Sequence, residues 1–270
     1  MDSRRCQQLH DPDQGGRRGC VRAGLALQCL VDFLYSLGLS RLIRNTDVDL
    51  SQENIASYLN TFIQHPHPHL AVLETDAAAR HVPIIGPWEG QLLALLARSM
   101  HAQQILELGT ATGYSAIWLA TATAAWNGHI TTIEQDPTRV NEARQNFILA
   151  GVSSQIKIVQ GVALPALSAL PGPFDFIFND ILSYLPNAEE AQRLLSACVQ
   201  RLRPGGLLLC DNALRGGRVM ELAADASVAG TKTFIEALLR HPQMDTSLLP
   251  IRDGVLVCCK HGVEDGDKLV

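Results

Sequence analysis

The 270-residue chain is first informative in what it lacks. Its seven cysteines, at 6, 20, 29, 198, 210, 258 and 259, contain no C-x-x-C spacing. That argues against a zinc or redox motif and against a disulfide frame. Several cysteines sit inside apolar runs such as "LLLCDN" and "VLVCCK", the pattern of reduced, buried thiols in a cytoplasmic protein. The chain also lacks a stripe of basic residues. With a net charge of −5 and scattered arginines, the electrostatic footprint of a nucleic-acid partner is missing. No clean apolar run of about 20 residues occurs, so no membrane span is expected. The nearest imitation, "RRGCVRAGLALQCLVDFLYSLGLS", is interrupted by Asp32 and shows no small-residue cleavage site. It reads as an amphipathic helix that docks on the body or on a partner. Internal repeats and a low-complexity core are absent as well.

What is present falls into four stretches. Residues 1–20 are polar and rich in Gly and Arg, the composition of a disordered segment. Residues 21–101 carry helical periodicity, with Pro87 placed to open a helix in "GPWEGQLLALLARSM". From 102 to 262 the pattern changes. Short apolar strands ("QQILELG", "HITTIEQD", "IKIVQG", "FDFIFND", "GGLLLCDN") alternate with helices, and two strands ("DTSLLPI", "GVLVCCK") follow across a tight "RD" link. Residues 263–270 form a tail. This predicts an α/β fold, an open parallel sheet with helices on both faces and an antiparallel hairpin at one edge.

Ligands of such sheets bind beyond the carboxyl ends of the strands. Those ends carry Glu107 with Gly109, Glu134, Gly161, Asp180, and Asp211 with Asn212. Four of these five ends are acidic, which folding alone does not require. The turn "ELGTATGYS" spaces Gly109 and Gly113 as G-x-x-x-G, neither a dinucleotide fingerprint nor a phosphate loop. It suits a ligand without a pyrophosphate, and Glu134 can accept both hydroxyls of a ribose. The alternative is a helix-capping turn with a solvated glutamate.

Taken in order, "ILELGTATGYSAIWLA", "ITTIEQDP", "GVALPAL", "FDFIFND" and "LRPGGLLLCDNALRGGRV" resemble S-adenosylmethionine-dependent O-methyltransferases of the catechol and caffeoyl-coenzyme A type. The resemblance spans roughly residues 50–260. It implies a Rossmann-like, seven-stranded, mostly parallel sheet with a reversed C-terminal hairpin and a helical N-terminal appendage. It implies that Glu107, Gly109, Gly113, Tyr114 and Ser115 surround the methionine part of the cofactor, with Asp180 near the sulfonium. Glu134 would hold the ribose, and Gly161 and Ala163 would sit by the adenine, with Val162 where many relatives carry an acid. A homodimer is also implied, to which the 21–44 helix could add interface.

Asp180, Asp211 and Asn212 are oxygen donors at two strand ends, suited to Mg²⁺ or Ca²⁺. In the resembling family these positions hold a metal that binds two adjacent substrate oxygens. The plain alternative is that Asp211-Asn212 only turns the chain. Two departures stand out. The family reads D-A-D-K where this chain has Asp180-Ile181-Leu182-Ser183, so the usual lysine base is absent. Tyr184 and His81 are the nearest substitutes. Arg215 stands where relatives often carry tryptophan, which points to an acidic substrate group or else to a solvated arginine. The expected activity is methyl transfer from S-adenosylmethionine to a hydroxyl of a small catechol-like aromatic, with divalent-metal help. The rival is a cofactor-binding scaffold or regulator without catalysis. "HPHPH" (65–69) reads as a helix connection, and Trp88 and Trp118 as packing residues.

Overall fold

The computed structural model describes residues 58–222 and 224–262. The expectations for residues 1–57 and 263–270, including the 21–44 helix and Cys6, Cys20 and Cys29, lie outside them. The elements run α1 (His69–Arg80), α2 (Gly86–Ser99), β1 (Gln104–Leu108), α3 (Tyr114–Thr123), β2 (His129–Glu134), α4 (Pro137–Leu149), β3 (Ile156–Gln160), α5 (Ala163–Ala169), β4 (Phe174–Asn179), α6 (Ala188–Arg201), β5 (Leu202–Cys210), α7 (Ala226–Leu239), β6 (Met244–Leu249) and β7 (Val255–Lys260). Short 3-10 turns follow α3, β4 and β5. Among these described residues no helix is long and apolar enough to cross a membrane.

The strands form one seven-stranded sheet in the order β3-β2-β1-β4-β5-β7-β6. The first five are parallel, and β7 is antiparallel to both β5 and β6. The closing hairpin therefore does not simply extend the edge, because its second strand slots between β5 and the first. Alternation within each strand sends residues to two cores. Ile105, Phe176, Phe178 and Leu209 meet α2 and α3 on one face. Leu106, Leu108, Ile177 and Leu208 meet α6 and α7 on the other. Strand order reverses at β1/β4, where β1 pairs with β2 on one side and β4 on the other. That switch point opens a crevice at the carboxyl ends, and it is where the acidic strand ends gather.

Helix α3 is apolar around its circumference and almost wholly buried, as expected for a helix sandwiched within a core. It can approach α2 closely because of Gly90, where a Cβ would lie 2.5 Å from the Trp118 indole nitrogen. This close packing fixes the start of α3 and with it the turn that leads out of β1.

Candidate active site

The turn from β1 to α3 is held in a shape only glycine tolerates at two points. Gly109 (φ 95°) and Gly113 (φ 86°) are left-handed. A Cβ at Gly113 would stand 2.4 Å from the Phe147 ring, and one at Gly109 would stand 3.0 Å from Ile181. Glu134, at the end of β2, braces this turn. One oxygen accepts the Ala111 N–H at 2.9 Å and the other accepts the Asp136 N–H at 2.9 Å. Each oxygen retains a lone pair for a ligand. Glu107 lies beneath, with no exposed surface. Thr132 donates to its Oε2 at 2.5 Å, while Oε1 has no partner. Burial raises the Glu107 pKa to about 7, against the opposing pull of the hydrogen bond from Thr132.

Gly109, Glu134, Gly161, Ala163, Asp180 and Asn212 face a common cavity of about 450 Å³. Its outer rim includes Val162 and Tyr184, which are 59% and 70% exposed. The structure thus brings both ends of the expected site, nucleoside and acidic, to one opening.

At the acidic end, the strand ladders continue one residue past β4 and β5. Asp180 N–H donates to Leu108 O at 3.0 Å, and Asp211 N–H donates to Asn179 O at 3.1 Å. This sets the two aspartates side by side. Asn212, in a left-handed conformation (φ 60°), joins them. Its amide nitrogen donates at 3.1 Å to Asp180 Oδ1 and at 3.1 Å to Asp211 Oδ2. Burial pushes the Asp180 carboxyl well up, helped by the charges of Asp211 and Glu107. Burial also raises Asp211.

A third carboxylate, Glu89 in the first turn of α2, completes the cluster. It has no exposed surface, and neither of its oxygens has a hydrogen-bond partner. Burial, then Asp211 and Asp180, push its pKa to about 9. Arg252, in the turn between β6 and β7, brings its Nη1 to 4.0 Å from Glu89 Oε2. Sequence reasoning passed over both residues. An acid inside the apolar "GPWEGQLLALL" was a usable signal for Glu89. Arg252 sat in a link read only as a turn.

Other expected residues fall elsewhere. Tyr114 does not line the cavity, because its hydroxyl donates to Glu74 Oε1 on α1 at 2.5 Å. Ser115 and Gly113 are beneath the turn rather than on the cavity wall. His81 is an exposed left-handed residue capping α1, outside the lining, so its place does not suit a proton acceptor. Arg215 turns away from the cavity. Its Nη1 reaches Leu182 O, Ser227 Oγ and Thr231 Oγ1 at 3.4, 3.3 and 3.1 Å, binding the turn after β4 to α7. The guanidinium expected to meet an acidic substrate is thus engaged in internal contacts. Ser183 and Tyr184 do line the opening. "HPHPH" connects to α1 as expected, with His65 Nε2 at 2.7 Å from Glu74 and His69 Nε2 at 3.0 Å from Asn146.

A family model described as O-methyltransferase matches residues 64–261, which contain every one of these elements. The chain belongs to the O-methyltransferase family. The methyltransferase is 34% identical over 204 residues to a catechol O-methyltransferase of Niastella koreensis, covering 73% of this chain and 90% of that protein. It is 29% identical over 199 residues to one of Mycobacterium tuberculosis, covering 73% and 88%. Among solved structures, the O-methyltransferase of Bacillus cereus in complex with SAH superposes with a TM-score of 0.66 at 26% identity, covering 76% of this chain and 96% of that one. TomG of Streptomyces achromogenes, in complex with SAM, gives 0.67 at 26% identity, covering 77% and 95%. The methyltransferase is accordingly an enzyme of the S-adenosylmethionine-dependent class.

The methyltransferase's acidic end also fits a hard divalent cation. Asp180 and Asp211 are joined by the Asn212 amide, and rotating that amide would present an oxygen where its nitrogen now lies. Among the described residues no three His, Cys, Asp or Glu side chains form a metal cage by themselves. Such a cation would depend on the Asn212 amide and on water or substrate oxygens.

Proposed function

We propose that the protein methylates one hydroxyl of a small aromatic bearing adjacent oxygens, with a divalent cation held by Asp180, Asp211 and Asn212. The observation that carries this reading is that Asn212 bonds both Asp180 and Asp211, while Asp180 and Asn212 line the cavity that also contains Glu134 and Gly161–Ala163. The names of the catechol O-methyltransferase relatives support the acceptor class.

In this reading Glu134 takes the ribose hydroxyls of S-adenosylmethionine. The turn at Gly109–Gly113 admits the methionine portion above Glu107, whose carboxylate attracts the positively charged end. Val162 and Ala163 flank the base. A bound cation supplies two things: a grip on adjacent acceptor oxygens and a lowered pKa for the one to be methylated. Asp180 belongs to both halves and sets their separation, so that acceptor oxygen and methyl group meet in line. The exposed rim at Ser183 and Tyr184 leaves the released proton a path to water, in place of a lysine base. The small-molecule acceptor, a homodimeric assembly and a cytoplasmic location belong to the same proposal. Sedimentation of the full chain tests the assembly.

The decisive experiment is methyl transfer to a panel of catechols and matched monophenols, with and without chelator. Turnover confined to catechols and abolished by chelator is expected. Equal turnover on monophenols, or turnover that survives chelation, overturns the acceptor or the cation respectively.

A further inference from the structure

Arg252 is built into the acidic cluster by three independent features. Its backbone is left-handed (φ 50°), a conformation that costs a non-glycine residue about 1 kcal/mol or more. Gly86, at the start of α2 and left-handed itself (φ 70°), lies beside its side chain, since a Cβ there would stand 3.3 Å from Arg252 Nη1. The turn that carries it is bonded to the loop that carries Asp211 and Asn212. Ala213 N–H donates to Gly254 O at 2.9 Å, Leu214 N–H to Asp253 O at 2.7 Å, and Gly216 N–H to Asp253 Oδ1 at 2.5 Å. The guanidinium reaches to 4.0 Å from Glu89 Oε2, and its turn is bonded to the residues that directly follow Asp211 and Asn212.

An ordinary surface arginine needs none of this. Here a strained backbone and a clamped turn place one positive charge beside Glu89, next to the loop that follows Asp211 and Asn212. Glu89 is the member of the acidic cluster with no exposed surface. A charge placed there has a definite consequence. Where Asp180 and Asp211 are ionised, it offsets part of the field that would draw a divalent cation to them, so it weakens the hold on that cation.

We propose that Arg252 is the resident counter-charge of the Glu89–Asp180–Asp211 cluster, and that it sets how tightly the site holds a divalent cation. Arg252 is a positioning residue that acts through the carboxylates, and the proposal rests on the cation reading given above. Its side chain is 43% exposed, so water screens part of its charge and a moderate effect is expected.

The test is calorimetric titration of the full-length protein with Mg²⁺ alone and with Ca²⁺ alone. Arg252→Gln is expected to tighten both cations about tenfold. Arg252→Lys, which keeps the charge, should stay within about twofold of the parent. Arg252→Gly should match the glutamine variant in affinity while melting higher, because it relieves the left-handed strain. That separation of affinity from stability distinguishes a charge effect from a structural one. If the parent binds Mg²⁺ and Arg252→Gln binds it equally well or more weakly, this proposal fails and the cation reading stands. A lysine variant that behaves like glutamine also overturns it. If no form binds either cation, both readings fall together.

Discussion

The two halves of the cavity are built on different principles. At the β1–β2 end the shape comes from backbone. Two left-handed glycines and a glutamate that braces two peptide N–H groups define it. At the β4–β5 end the shape comes from side-chain charge, with buried acids joined by one amide and faced by one arginine. In the first half Glu134 already meets two peptide N–H groups of the turn, while Glu107 Oε1 beneath it has no partner. The second leaves Asp180 well above the usual carboxylate range and Asp211 raised by burial. A site for a constant cofactor can be fixed in advance. A site that must exchange acceptors gains from charge that awaits a partner.

Breaking each half should therefore produce different failures. The largest effect is expected from Asp211→Asn. It should lower turnover on the order of 100- to 1,000-fold while calorimetry shows S-adenosylmethionine affinity little changed. Gly113→Ala should break the other half by destabilising it. The left-handed backbone and the Phe147 collision together should cost about 3 kcal/mol, read from the urea midpoint.

Glu107 gives a pH test. Its pKa is raised from 4.5 to about 7 in the fold, so the folded state holds the proton more tightly than the unfolded chain. Its stabilising contribution is complete below about 4.5 and is lost as pH rises through 7, a swing of roughly 3 kcal/mol. Cofactor affinity should run the opposite way, rising through pH 7 as the carboxylate ionises beneath a cationic ligand. Glu107→Gln should flatten both curves, and curves of unchanged slope would remove Glu107 from the cofactor's environment. Smaller still, Tyr114→Phe deletes only the bond to Glu74 and should cost about 1 kcal/mol in stability, with turnover unaltered. Arg215→Ala should be smallest. A loss of about 0.5–1 kcal/mol with an unchanged preference between acidic and neutral catechols would confirm its internal role.

The contrast also explains what could be read from the sequence. Strand ends and glycine turns are local, and "ELGTATGYS" followed by Glu134 announces both the turn and its brace within one β-α-β unit. Alternation places Asp180 and Asp211 at strand ends, so their meeting follows from a parallel sheet. Glu89 and Arg252 come from outside the β1–β5 unit, one before β1 and one after β6. Nothing in their neighbourhoods states which way they face, and only the crossing of α2 over the sheet and the insertion of β7 bring them to the cluster. Tyr114 and Arg215 illustrate the reverse error. Each stands within a motif tied to ligand binding, yet a nearby acceptor (Glu74 for one, Leu182 O for the other) captures the side chain. Motif membership places a backbone more reliably than it aims a side chain.

The position of β7 carries one last consequence. Strand β6 precedes it in the chain yet reaches β5 only through it. The turn between the two strands is thus held from two directions, by the ladder of β7 on β5 and by its own bonds to residues 213–216. A substitution in the closing hairpin, remote from the cavity in sequence, therefore reaches the acidic end through the backbone that follows Asp211 and Asn212.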